Sequence, residues 1–499
     1  MKHLFSGLVK AILIFALIAF SLLLAWGFQS RGLGALGPWH TVVLNNEFTA
    51  GDATPETTLQ DYLDQEQRLF AELEEKVYQR VDPDGEMILS RYRSGGVQDP
   101  AGQPQNWNRT FELVPAEIKA GALLLHGLTD SPYSLRRVGQ ILYENGYYVL
   151  GLRLPAHGTI PGALTRVGWE DWVAASRLGA RHVSQRIGPD KPFLLAGYSN
   201  GGGLSVNYAL DAMTDLELPD PDQLLLFSPE IGIEPLAMIA NSYKFLSFLP
   251  YFEKFEWLSI EPEYDPFKYN SFPKNAAEEA WEVTDSIHRK IKLAHEGGML
   301  QDFPPVLTFL SWTDATVDTS ATVKILYGAL ENADSELVIF DVNRSEPLVG
   351  FIPFSRESPL DHLEDGIDLP YRLTVITNVD KDSQQVGENS RAPRSARTEY
   401  RPLELIWPRG NYSLAHVAIP FAADDPVYGA GESEPGTYRG LRLGALQPRG
   451  EVRVLTAPLS QLMRLRHNPF FDYIQQRVVV LANRVSGNSQ GDEPETPGP

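Results

Sequence analysis

The chain has 499 residues, 43% of them hydrophobic, a formal net charge of −21 and no cysteine. That length and apolar content supply one large domain with insertions, or two domains. The acidic balance argues against nucleic acid and against an anionic lipid surface held by a polybasic patch, and the missing cysteine excludes disulfides, thiolate metal sites and a cysteine nucleophile.

Lys2, His3 and Lys10 precede residues 11–28, a run of 18 residues without a charge. About 20 apolar residues span a bilayer, and signal-peptide cores are shorter, roughly 7–15 residues, and end in small residues. Here Trp26 and Phe28 stand where those small residues belong. Residues 1–31 therefore read as an uncleaved membrane anchor. The alternative is a cleaved signal segment and a secreted protein. Basic residues ahead of the apolar run place the globular body on the non-cytoplasmic side.

Residues 32–118 form an N-terminal extension. Within it, Leu63, Phe70, Leu73, Val77 and Val81 recur at helical spacing, with Glu and Gln opposite, and predict an amphipathic packing helix over 58–81. From residue 119 the pattern changes. Apolar strands are predicted at 122–125, 147–154, 193–198, 224–227 and 306–310, with helical or mixed segments between them. Short apolar strands alternating with helices give the α/β class: a mostly parallel sheet covered on both faces, with ligands at the C-terminal ends of its strands.

Two stretches interrupt the alternation within this domain of residues 119–485. Residues 231–300 carry a dense aromatic run, Tyr243, Phe245, Phe248, Tyr251, Phe252, Phe255 and Trp257, and read as an inserted cap. Residues 342–402 read as a second insertion, with a strand at 371–379 and a polar loop at 380–397 that projects from the domain. Residues 486–499 read as a disordered tail.

The chemistry begins where the third of those strands ends. Residues 193–198 run into Gly197, Tyr198, Ser199, Asn200 and Gly201, with Gly202 and Gly203 behind them. A buried strand that delivers a serine into a tight Gly-flanked turn, with a helix leaving at once, makes a nucleophile elbow. The same string recurs at 487–491, in a polar tail without strand or helix context, and reads as coincidence.

A serine hydroxyl needs a base, and the base needs an acid to orient it. In this arrangement the acid and then the histidine follow the serine in the chain. Asp314, in a loop of small polar residues after 306–310, is the acid, with Asp318 as rival. Three histidines follow: His362, His416 and His467. His362 lies in an acidic stretch and His467 in a basic helical pattern, both read as surface positions. His416 follows a strand candidate at 403–407 and a turn, and is read as the base. Upstream, a strand ends in His126 and Gly127. The backbone N–H groups of Leu128 and Asn200 are assigned to an oxyanion hole, where fixed donors stabilise the tetrahedral intermediate. His126 reads as a residue that fixes its loop, His157 as structural, and Trp169 and Trp172 as anchors of a helix.

Together these residues resemble the α/β-hydrolase superfamily, in its carboxylesterase and monoacylglycerol-lipase branch. The carriers are His126-Gly127 with Ser131-Pro-Tyr-Ser134, Leu154-Pro-Ala-His-Gly158, Trp169-Glu-Asp-Trp172, Gly197-Tyr-Ser-Asn-Gly201, Ser311-Trp-Thr-Asp-Ala-Thr-Val317 and the His416 loop. The likeness spans roughly residues 119–230 and 303–480. It implies an ester hydrolase with Ser199 as nucleophile, Asp314 as acid and His416 as base, no cofactor and no metal, acting on a small-molecule or lipid ester. Thioesterase, amidase or peptidase, and acyltransferase chemistry share the triad, and a non-catalytic binding protein on the same fold is the alternative of another class. The chain departs from the branch by the 102 residues between Asp314 and His416, and by Ser311 and Ala156 where glycine is usual.

Overall fold

The computed structural model describes residues 33–82, 88–232, 253–314, 316–345, 368–430, 443 and 465–487, together with Lys10, Ile14, Leu17 and Ser21. The strands are β1 (Phe111–Leu113), β2 (Ala120–Leu125), β3 (Tyr147–Leu152), β4 (Phe193–Tyr198), β5 (Gln223–Phe227), β6 (Trp257–Ser259), β7 (Phe272–Pro273), β8 (Val306–Ser311), β9 (Glu336–Phe340), β10 (Arg372–Asn378), β11 (Gln385–Arg391) and β12 (Thr398–Ile406). Ten of them form one sheet in the order β1-β3-β2-β4-β5-β8-β9-β10-β11-β12, and β6 pairs with β7 apart from it.

From β3 to β10 neighbouring strands are parallel, whereas β1, β11 and β12 pair antiparallel with their neighbours. β2, β3, β4, β5, β8 and β9 are buried along their whole length. Alternate residues feed two cores, as the two-residue period of a strand requires: Leu123 and Leu125 pack into one, Ala122 and Leu124 into the other. The main helices are α1 (Leu59–Lys76), α2 (Arg136–Glu144), α3 (Trp169–Ile187), α4 (Asn200–Ala212), α5 (Lys274–Glu296) and α6 (Phe471–Val485). Leu178 and Val183 of α3, Leu204 and Val206 of α4 and Val283 and Ile287 of α5 fill the first core. Ile141 and Leu142 of α2 and Ile474 and Val478 of α6 fill the second.

The predicted amphipathic helix is α1, capped by the Thr58 hydroxyl, which accepts from the N–H of Asp61. Its acidic residues do not all face water. Glu66 is buried and accepts from Arg153 Nε at 3.1 Å, while Arg153 Nη2 reaches Glu47 at 2.8 Å. Glu72 accepts from the backbone N–H groups of Asn45 and Asn46. The extension is also tied to the residues beyond β5: the N–H of Arg91 donates to Glu263 O at 2.8 Å, and Asn108 Nδ2 donates to Pro266 O at 2.9 Å.

The expected projecting loop at 380–397 is corrected. It contains β11, an inner strand of the sheet with β10 on one side and β12 on the other. Its polar sequence hid it. Backbone pairing on both sides holds it, and Glu388 meets Arg401 of β12 at 2.6 Å in place of an apolar contact. In the expected cap, Phe255 and Trp257 are buried and α5 packs near the turn after β4; Tyr243, Phe245, Phe248, Tyr251 and Phe252 lie outside the described residues. So do His362, most of residues 11–28 and residues 488–499. Among the described residues, no helix is long and apolar enough to cross a membrane.

Candidate active site

The first helical residue after β4 is Asn200, and Ser199 is its cap with φ 55° and ψ −121°, a backbone conformation that L-residues rarely adopt. Neighbours hold it there. The N–H of Ser199 donates to Phe227 O at 3.0 Å, and its carbonyl accepts from the N–H groups of Gly202, Gly203 and Glu230 at 2.8, 3.1 and 2.9 Å. The flanking glycines are required by space: a Cβ on Gly197 would stand 2.2 Å from Gly201 O, and one on Gly201 would stand 2.0 Å from Leu125 O. The turn is packed backbone against backbone, which only glycine permits.

Asp314 follows β8 and His416 begins a short helical turn, 102 residues later. Their side chains meet: His416 Nδ1 bonds Asp314 Oδ2 at 2.7 Å. The other carboxylate oxygen, Oδ1, accepts from the N–H groups of Thr316 and Val317 at 2.8 and 3.2 Å. Burial alone would raise the Asp314 carboxyl. The positive field and hydrogen bond of His416 and the two backbone N–H groups outweigh it and hold the group below its ordinary value. The His416 ring stacks on Tyr198, the residue before Ser199, with centroids 5.2 Å apart. The serine turn, the histidine and the acid therefore share one end of the sheet. Asp318, the rival acid, is exposed.

The loop after β2 runs against the same turn, since a Cβ on Gly127 would stand 3.1 Å from that of Ser199. Among the described residues, the N–H groups of Leu128 and Asn200 meet no acceptor. His126 is buried. Its Nε2 accepts from the N–H of Leu154 at 3.0 Å, so the hydrogen is on Nδ1, which donates to Gly127 O at 2.9 Å. Burial, and then the neighbouring His157, push its pKa well down, which keeps the ring neutral. His157 is likewise buried and lowered to about 4 by burial. Trp172 is fully buried and donates to Pro155 O at 3.1 Å. His467 is a correction: it is buried, not on the surface, in the bend before α6 where it senses Asp425. Sequence reasoning passed over Glu230, whose only sequence signal is its place three residues past a buried strand.

Residues 122–350 match the alpha/beta hydrolase family, and the mostly parallel sheet has the fold of that family. Over 89 residues it is 35% identical to the thermostable monoacylglycerol lipase of Bacillus sp. (strain H-257), covering 18% of this chain and 34% of that one. The chain spans only about a third of that relative's length. Similar solved structures include a metagenome-derived lipolytic enzyme of the LipS and LipT study, with 20% identity over 47% of this chain and 87% of that one and a TM-score of 0.37. Another is the monoacylglycerol lipase of Paleococcus ferrophilus, with 17% identity over 46% and 88% and a TM-score of 0.34.

Proposed function

We propose that the protein is a serine hydrolase that cleaves carboxylic esters through an acyl-enzyme on Ser199. The observation that carries the reading is the 2.7 Å bond from His416 Nδ1 to the buried carboxylate of Asp314, beside a serine in a strained turn. With Nδ1 engaged, Nε2 is the nitrogen left to act as base. It takes the hydroxyl proton as Ser199 Oγ attacks the ester carbonyl. Asp314 stabilises the imidazolium without taking its proton. The N–H groups of Leu128 and Asn200 hold the oxyanion, each such donor contributing about 3–4 kcal/mol. Collapse of the intermediate returns the proton from His416 to the leaving alcohol. Water, deprotonated by His416, then releases the acid and restores Ser199.

The aromatic run at 243–257 supports an apolar acyl group, and the N-terminal segment supports attachment to a membrane with the globular body on its non-cytoplasmic side. Ile14 and Leu17 are 59% and 65% exposed, with their apolar side chains off the folded domain. A fluorophosphonate probe tests the chemistry: labelling of the wild type that is lost in Ser199→Ala is the expected result, and absence of labelling in folded wild type overturns it. Extraction of expressing membranes at alkaline pH tests attachment, with retention in the pellet expected and full release of the intact chain counting against an anchor.

A further inference from the structure

The loop after β5 joins three parts of the site. The N–H of Glu230 holds the Ser199 carbonyl at 2.9 Å. The carbonyl of Ile231 accepts from His288 Nε2, on the covering helix α5, at 2.7 Å. The carbonyl of Gly232 accepts from the N–H of Asp318, in the acid-bearing loop, at 3.4 Å. The loop starts from a strained residue, Ser228 with φ 41°. The nucleophile turn, the covering helix and the acid loop thus depend on one short segment.

The side chain of Glu230 points inward from that segment. The residue is 7% exposed, and among the described residues its Oε2 is buried without a hydrogen-bond partner. Such a seat suits a neutral acid and is hostile to a carboxylate. Among the described residues, the groups around it offer no free cation. Asp314 acts on it with negative charge, and the buried Tyr198 phenol feels Asp130 first and then both of these acids. On α5, His288 is engaged with Ile231, Asp285 pairs with Arg289, and Lys290 pairs with Asp211. Asp318 is exposed beyond Gly232. Burial, and then the charge of Asp314, push the Glu230 carboxyl up to about 7. Asp314 itself is held low by His416 and two N–H groups. Environments that separate two neighbouring acids in this way assign one proton between them.

We propose that Glu230 is a positioning residue for the acyl transfer: as a neutral acid it seats the loop that holds Ser199, and as a carboxylate it leaves that seat and loosens the turn. The inference rests on the reading of Ser199 as nucleophile. The sign follows from the raised carboxyl. Relative to a variant that cannot ionise, stability begins to fall as the pH rises past the ordinary value of 4.5, and the full penalty stands above about 7. Nucleophile reactivity falls over the upper part of that range, where the folded protein itself loses the proton.

The test is the initial rate of fluorophosphonate labelling of the full chain between pH 5.5 and 9, for wild type, Glu230→Gln, Glu230→Met and Ser199→Ala. The wild-type rate is expected to drop about threefold or more above neutrality, while both Glu230 variants rise to a plateau set by the histidine base. Superimposed profiles for wild type and Glu230→Gln overturn the role of Glu230 and leave Ser199 as nucleophile. Labelling that survives Ser199→Ala overturns both. Should neither Glu230 variant fold, the wild-type and Asp130→Asn profiles decide, since the buried Asp130 carboxyl is also pushed up to about 7: a decline near neutrality that persists in Asp130→Asn supports the proposal, and a decline that disappears in it, or a wild-type rate that climbs to a plateau at pH 9, overturns it.

Discussion

The two halves of the ten-stranded sheet are built on different terms. In the parallel half, the chain leaves four consecutive neighbours through a non-glycine residue at positive φ: Thr129 after β2, Ala156 after β3, Ser199 after β4 and Ser228 after β5. In the antiparallel extension of β10 to β12, Arg394 alone has that conformation among the described non-glycine residues, and it lies in a turn. Backbone strain of about 1–3 kcal/mol per residue persists only where surrounding structure over-determines it. Here the surrounding structure is the buried apolar strands and the hydrogen bonds that converge on Ser199. The relaxed half carries the polar strand β11, its cross-strand ion pair with β12, and an edge, β12, with exposed residues such as Tyr400 and Ile406. Strain therefore gathers where the chain leaves β2 to β5, and among the described non-glycine residues the extension has it at Arg394 alone.

The sharpest way to break this contrast is at the Ser199 turn. Ser199→Ala and His416→Ala are each expected to lower kcat for a nitrophenyl ester by at least about 10⁴-fold with the fold intact, checked by kinetics and circular dichroism. Asp314→Asn keeps the shape but not the charge, and about 10⁴-fold is again expected in kcat. It has a second signature. Because the folded carboxyl lies below its ordinary value of 3.8, its stabilisation is present above that pH and is lost as pH falls through the lower folded value. The melting-temperature difference between wild type and Asp314→Asn should therefore shrink in acid, and a difference that stays constant down to pH 2 contradicts the pairing.

Packing effects come next. Gly201→Ala forces a methyl group to within 2.0 Å of Leu125 O, and a loss of about 3 kcal/mol or more in urea unfolding is expected. Breaking the buried Arg153 cluster with Glu66→Gln leaves a guanidinium short of charge, at a cost of about 3 kcal/mol. In the extension, Arg401→Met removes a more exposed pair from Glu388 and should cost less than about 1 kcal/mol. The smallest effect has the opposite sign. Ala156 has φ 66°, so Ala156→Gly should stabilise by up to about 1 kcal/mol. A loss of stability there would show that the chain is not strained at that position.

Much of the parallel half was legible before any coordinates. Its strands are continuous apolar runs because both faces are covered, and the glycines around Ser199 announce the crowding that the structure measures. Glycine being usual at the position of Ala156 has a different origin, a left-handed backbone. The extension was not legible. β11 has almost no apolar signature, since pairing on both sides and an ion pair do the work that buried side chains do elsewhere. Glu66 looked like part of a solvated helix face because helical spacing cannot reveal a buried arginine waiting 87 residues away. His467 looked exposed for a similar reason: a basic neighbourhood in sequence says nothing about what packs over it.

The linear chain by itself determined the class of sheet, the glycine-flanked turn at Ser199 and the chain order of Ser199, Asp314 and His416, because each rests on local pattern or on backbone space. Only the tertiary structure decided that Asp314 and His416 meet across 102 residues, that a polar stretch becomes an inner strand, and that Glu230 lies buried beneath the turn. Those are long-range outcomes. They depend on which groups are removed from water together, and no local pattern records that.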